Sequence, residues 1–304
     1  MSITLVAVVI ALVLGHVAPA LVTAARQYHW YGHWLRWLDA KAGEGQAGES
    51  NFWRGRYGIV MALLPPLLIV AVLQWTLRAP MLLLGFLGLL FGIVALVYAW
   101  GPRDLDIDVE AIIDAHDPPA RRAAIARLWP EGATIAADGP ALVEAVFRNA
   151  LHRWFGVLFW FLLLGPVGAL LYRLTAFSVE GEFAHTLPAE TREGALGLHA
   201  VLDWPVAQLM TLSMALVGNF DAVFNAWRQA RGNQLQLDNA FLGAAARASV
   251  KSELAEEAEE YAEEGMVQAM RELPELRDAM SLVWRILLLW MAVLALFVIA
   301  GWVS

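Results

Sequence analysis

The chain of 304 residues contains no cysteine. This excludes disulfides, thiolate nucleophiles and cysteine-ligated metals, and it leaves the redox compartment open. Charge is also scarce, at 16% of residues, and the basic share is the smaller: 21 Lys and Arg stand against 29 acids, for a net charge of -8. Such a balance argues against nucleic acid as a partner. Three motifs are missing as well: the GxxxxGK loop, the GxSxG elbow and the HExxH helix. Nothing of these kinds therefore calls for a nucleotide, a serine nucleophile or a zinc ion, and no cofactor is expected.

What is abundant is apolar sequence, at 59% of residues with a mean hydropathy of +0.55. A soluble domain would not carry this much, so the chain reads as an all-α, polytopic helical membrane protein of about five to six membrane segments with short cytoplasmic helices. Five runs free of charged side chains are long enough to span: Ile3 to Val22, Tyr57 to Leu77, Ala79 to Trp100, Trp154 to Tyr172 and Ile286 to Val303. A hydrocarbon core takes roughly 20 such residues. No basic region precedes the first run, which is therefore read as a retained span. Ala195 to Gly218 is a sixth candidate, interrupted by Asp203-Trp204-Pro205. Those three residues read as a helix start, with Asp203 as the cap and Pro205 in the first turn. Only the short stretch from Pro205 to Gly218 then remains, so a tilted or partly inserted helix stays open beside a full crossing.

Positive charge orients these runs. Connectors 23–56 and 101–153 hold most of the arginines and are expected in the cytoplasm, with the amino terminus outside. Connector 177–194 carries Glu180, Glu182, Glu190 and Glu193 against Arg192, and is expected outside. The segments are then 1–56 (first span, interfacial aromatic helix and loop), 57–100 (membrane hairpin), 101–153 (helical connector), 154–218 (membrane segments with the outside loop), 219–282 (acidic helical connector) and 283–304 (last span).

In RQYHWYGHWLRWLD, Trp30, Trp34 and Trp37 share one helical face beside Arg26 and Arg36, the composition of a helix lying among lipid headgroups. His29 and His33 are four apart but lack an evident third metal ligand. Connector 101–153 breaks into three short helices at Pro118-Pro119, Pro130-Glu131-Gly132 and Gly139-Pro140, with Asp138 placed to cap the third. Residues 253–264 pair their glutamates around Leu254, Ala258 and Tyr261. That pattern fits a solvated acidic face, a divalent-cation cluster or a dock for a basic partner.

Gly85, Gly88 and Gly92 repeat at helix-packing spacing in the third span, and Gly165 and Gly168 do so in the fourth. Pro65-Pro66 should leave carbonyls that neighbouring helices, rather than lipid, must satisfy. The most distinctive stretch is EAVFRNALHRWFGVLFWFLLLGPVGALLYR. There Glu144, Arg148, Asn149, His152 and Arg153 precede an aromatic-rich span broken at GPVG, and Tyr172 and Arg173 follow. With Asp203 these residues form a candidate polar mouth for an anion, a headgroup or another ligand. Plain interfacial anchoring by Arg153 and Trp154 is the other reading.

That stretch, the preceding GPRDL, and LHAVLDWPVAQLMTLSMALVGNF together resemble AmpE, an inner-membrane protein of Gram-negative bacteria linked to β-lactamase induction. The AmpE family is grouped with the cobalamin-pathway synthases CbiB and CobD. The resemblance covers roughly residues 55 to 230. It implies that Glu144 stands at an acidic position of the synthases, and that Gly165, Gly168, Ala169, Tyr172 and Arg173 match their glycine and YR stretch. Other positions depart. The ENxxD motif is reduced to Arg148-Asn149 with His152, NTxD is replaced by Ala176-Phe177-Ser178-Val179, and only His199, Asp203 and Pro205 remain of DxxNxxPAR, with Gln208 in place of its arginine. Amide formation would need acids to hold a metal nucleotide and manage the amine proton. The departures therefore imply a regulatory or sensing protein with no enzymatic activity. A residual amide-forming enzyme, or an accessory subunit docking on lipids and on a membrane-protein partner through the third span or residues 253–264, are the alternatives.

Overall fold

A computed structural model describes residues 3–17, 26–43, 52–77, 82–101, 104–130, 133–181, 183–234, 237–263 and 273–300. Residues 78–81, within the expected hairpin 57–100, and residues 44–51, near the end of segment 1–56, lie outside them. Every regular element among the described residues is helical. Three helices are long and apolar enough to cross a membrane: Gly58–Leu77 (α3), Ala189–Val217 (α10) and Pro274–Ile299 (α13). Shorter apolar helices accompany them, and together they make the chain an all-α helical membrane protein. Contacts divide it into two compact units, one of residues 1–102, 156–202 and 295–304, the other of residues 103–155 and 203–294.

The first unit contains Ile3–Val17 (α1), His29–Gly43 (α2), α3, Leu82–Ala99 (α4), Gly156–Leu164 (α8), Pro166–Val179 (α9) and the start of α10. The interfacial helix expected after the first span is α2. It buries Tyr31, Leu35 and Leu38 and exposes Trp30 and Trp37, with Trp34 stacked on Trp37 at 5.1 Å. Helix α4 ends in carbonyls that no helical N–H can reach. Arginines take them: Arg26 donates to Val97 O at 3.1 Å and Gly101 O at 2.6 Å, and Arg173 donates to Ala99 O at 2.6 Å. Cations at a helix carboxyl end also oppose its dipole.

Trp154 to Tyr172 does not form one span. Gly165 adopts φ 71 and ψ -152, a conformation essentially closed to residues with a Cβ, and the chain turns back there. In a straight helix Gly156 and Tyr172 would stand roughly 24 Å apart. Here a Cβ on Gly156 would overlap the Tyr172 ring, so α8 and α9 form an antiparallel hairpin. Its tip lies near the carboxyl end of α3, where Gln74 Nε2 donates to Leu164 O at 3.1 Å and Gln74 Oε1 accepts from Val167 N–H at 3.2 Å. Its two open ends lie together at the other end of α3.

This reversal relocates connector 177–194. Tyr31 and Ser178 share a hydrogen bond of 2.8 Å, the Thr191 hydroxyl donates to Trp53 O, and a Cβ on Gly32 would stand 2.6 Å from the Phe183 ring. The connector is therefore at the same end of the unit as 23–56, where charge counting had put the two on opposite faces. The physical reason is that the intervening segment reverses direction at Gly165 instead of running straight on.

The reading of Asp203-Trp204-Pro205 as a helix start is also corrected. Helix α10 begins at Ala189, directly after Pro188, and continues through Pro205 for 29 residues, roughly 43 Å. Asp203 is buried inside it, and the helix is long and apolar enough to cross a membrane by length and composition.

The second unit holds the three connector helices Leu105–Ile113 (α5), Pro118–Ala126 (α6) and Gly139–Ala150 (α7), together with Phe220–Gln229 (α11), Ala240–Glu263 (α12), the latter part of α10 and most of α13. Asp138 occupies the cap position of α7 without making a side-chain cap hydrogen bond. Helix α7 packs on α5 and α12, and α11 packs on α12. Trp284 lies 5.2 Å from Trp154 and donates to Asp106 at 3.0 Å, while Arg285 grips both Glu253 oxygens at 2.8 and 2.6 Å.

Candidate functional site: a polar cleft between α7 and α12

Helix α7 is apolar on the face formed by Leu142, Val143, Val146, Phe147 and Ala150, all buried. The opposite side carries Glu144 and Arg148 to the edge of α12. Between the helices lies a cleft of about 330 Å³ lined by Glu144, Arg148, Leu151, His152, Asp238, Asn239 and the first turn of α12. This is the size of a small-ligand site. Gly243 permits the close approach, since a Cβ there would meet the Glu144 stem at 2.7 Å.

Below Ala150 the helix widens into a π turn, Leu151–Phe155. Such turns insert an extra residue and redirect the side chains they carry. His152 Nε2 lies 3.2 Å from Asp203 Oδ2, and Arg153 Nη1 donates to Asp108 Oδ2 at 2.6 Å. Asp108 is fully buried, so removing the guanidinium would strand a charge in a dry place.

Of the residues expected at a polar mouth, Glu144, Arg148 and His152 meet in this cleft, and Asp203 joins through His152. Glu144 is ion-paired with Arg247 of α12, both side chains about 40% exposed. Arg148 lies over the Trp129 ring at 4.7 Å and donates to Leu128 O at 3.2 Å. Asn149 turns away, its amide donating to Leu128 O and Ala145 O, both at 2.8 Å. Arg153 is held by Asp108 and Arg127 O. Tyr172 and Arg173 belong to the first unit, where Tyr172 is fully buried with its ring 5.5 Å from that of His199, and Arg173 caps α4.

Sequence reasoning missed Arg247, Asp238 and Asn239. The Asp-Asn pair ahead of an alanine-rich run is a helix-start signal that marks them, and Asp238 Oδ1 does accept the Ala240 N–H at 2.9 Å. Asn239 Oδ1 is buried without a hydrogen-bond partner among the described residues. The glycine repeat is used within the chain: a Cβ at Gly92 would touch Ala7 and Phe161, one at Gly88 would press on Leu77 O, and one at Gly168 would strike Trp160 O. At Gly85 it would meet nothing within 4 Å.

Among curated proteins the chain is similar to the cobalamin biosynthesis protein CobD of Stutzerimonas stutzeri (strain A1501), with 30% identity over 195 residues. The match covers 60% of this chain, which spans the same share, 60%, of that relative. No protein-family profile matches the chain, and no solved structure does. The comparisons thus establish a distant similarity to CobD, joined to an all-helical membrane fold.

Proposed function

We propose that this chain is an AmpE-like regulatory or sensor protein of the bacterial inner membrane. In this reading it is not an enzyme: it binds a small charged ligand in the α7–α12 cleft and links envelope or peptidoglycan-recycling status to β-lactamase induction. The observation that carries the proposal is the condition of the cleft's own groups. Glu144, the acid that the resemblance sets at a synthase position, is engaged by Arg247, while the buried Asn239 Oδ1 still has a hydrogen bond to accept. An unsatisfied buried acceptor lining the same cleft as the Arg148 guanidinium favours ligand binding. Connectors 23–56 and 101–153 face the cytoplasm in this account, with the amino terminus outside. Deleting the gene from a strain with an inducible β-lactamase should change induction after a β-lactam challenge. An unchanged response refutes the regulatory role.

The similarity to CobD favours a second reading, an amide-forming enzyme of the CbiB type. It requires the purified protein to bind ATP with Mg²⁺ and to lose that binding in Glu144→Ala. No binding at millimolar nucleotide removes it.

A further inference from the structure

Helix α11 reads FDAVFNAWRQ and presents two different stripes. Val223 is completely buried. Phe220 and Phe224 stay 52% and 41% exposed although their rings are stacked at 5.7 Å, and Phe224 continues onto Trp227 at 5.5 Å. The Arg228 guanidinium lies 5.8 Å over the Phe224 ring, and Arg231 is exposed just beyond. The neighbouring exposed stripe is Asp221, Asn225 and Gln229. An aromatic ladder edged by arginines beside an acid-and-amide stripe is the pattern of a helix lying in a membrane surface.

The ladder is fixed in place. Gly218 ends α10, and Asn219 Oδ1 accepts the Ala222 N–H at 3.0 Å while its amide donates to Glu256 at 2.9 Å. Gln208 of α10 accepts from the Trp227 indole at 3.0 Å and donates to Gly232 O at 2.8 Å, so one side chain ties both ends of the turn. The exposed leucines of α10, Leu209, Leu212 and Leu216, precede the ladder on a helix apolar enough to cross a membrane.

We propose that α11 is an in-plane membrane anchor, with Phe220, Phe224 and Trp227 in the headgroup-to-acyl boundary and Arg228 and Arg231 contacting anionic lipid. The lipid surface is the favoured occupant because the ladder starts within three residues of the end of an apolar helix, and because the charges edging it are positive. The acid of α11 sits on the other stripe, where water would be.

The natural absence of cysteine provides the test. The full chain, carrying a single environment-sensitive dye at Phe220→Cys or at Gln229→Cys, is reconstituted in phosphatidylcholine vesicles with or without phosphatidylglycerol. The vesicles also carry a shallow lipid-attached quencher, and iodide is added outside. The dye at 220 should be quenched by the lipid and that at 229 by iodide. Phosphatidylglycerol should strengthen the lipid quenching at 220. Arg228→Glu and Arg231→Glu, both at exposed positions, should each weaken that gain roughly fivefold. Iodide quenching of equal strength at both positions in all vesicles overturns the proposal. So does a dye at 220 shielded from both quenchers, which would mean that a protein or a second copy covers the ladder.

Discussion

The Trp34 indole N–H donates to the carbonyl of Ala62 at 3.1 Å. That carbonyl is the one Pro66, four residues on, cannot bond, because proline has no N–H. Proline within a membrane helix is tolerated when a neighbour takes the freed group, and α2 supplies the donor across from α3. Trp34→Phe should therefore destabilise the protein by about 1–3 kcal/mol in detergent. In a Pro66→Ala background the helix recovers its own bond and the same change should cost clearly less. A double-mutant cycle followed by thermal unfolding measures the difference.

Gly165 is where the α8–α9 hairpin turns. Its φ of 71 with ψ of -152 is strained for any other residue, and a Cβ would also stand 2.8 Å from Gln74 Nε2. Gly165→Ala should lower stability by about 1–3 kcal/mol. Gly181, also at positive φ but with nothing within 4 Å of an added Cβ, should show the smaller loss on the same substitution. Melting temperatures of the two variants decide the order.

Much of the architecture was legible in the sequence, because long apolar runs and 3.6-residue periodicity report burial directly. Helices α5, α6 and α7 were legible for that reason, and α2 from its tryptophans. The hairpin was not. GPVG announces a break in a span, but whether a broken helix continues or reverses depends on what its tip meets, here Gln74 of a distant helix. Asp203-Trp204-Pro205 misled for a related reason. It has the composition of a cap, yet a carboxylate with a histidine partner can stay inside a helix, and so can a proline with packed neighbours. The cleft was half legible, since Glu144, Arg148 and His152 lie on one continuous helical stretch while Asn239 and Arg247 come from a distant part of the chain, Arg247 standing 103 residues after Glu144.

Function and stability should separate at Glu144. The Glu144–Arg247 pair is about 40% exposed on both sides, so its contribution to folding is screened and should be under about 1 kcal/mol. Glu144→Gln and Arg247→Gln should melt near the wild type and still alter the β-lactamase response. A response unchanged in both would separate the cleft from the regulatory role.

Burial raises the hydroxyl pKa of Tyr28, against the opposing charge of Arg173, and burial likewise raises that of Tyr31 against its hydrogen bond with Ser178. The folded state then keeps protons that the unfolded chain sheds near pH 10. Stability from this source is full below that pH and falls as pH rises toward the folded pKa values. Thermal melts in increasingly alkaline buffer should show the decline, and Tyr31→Phe should flatten it.

The measurement closest to the centre of this account is topology by single cysteines in the cysteine-free chain, placed at the exposed positions Ala40 and Glu190 and probed with a membrane-impermeant thiol reagent on intact and on everted vesicles. With 156–179 turning back at Gly165, both cysteines should react from the same side of the membrane. Reaction from opposite sides would mean that the segment crosses, and would contradict the fold on which the functional reading rests.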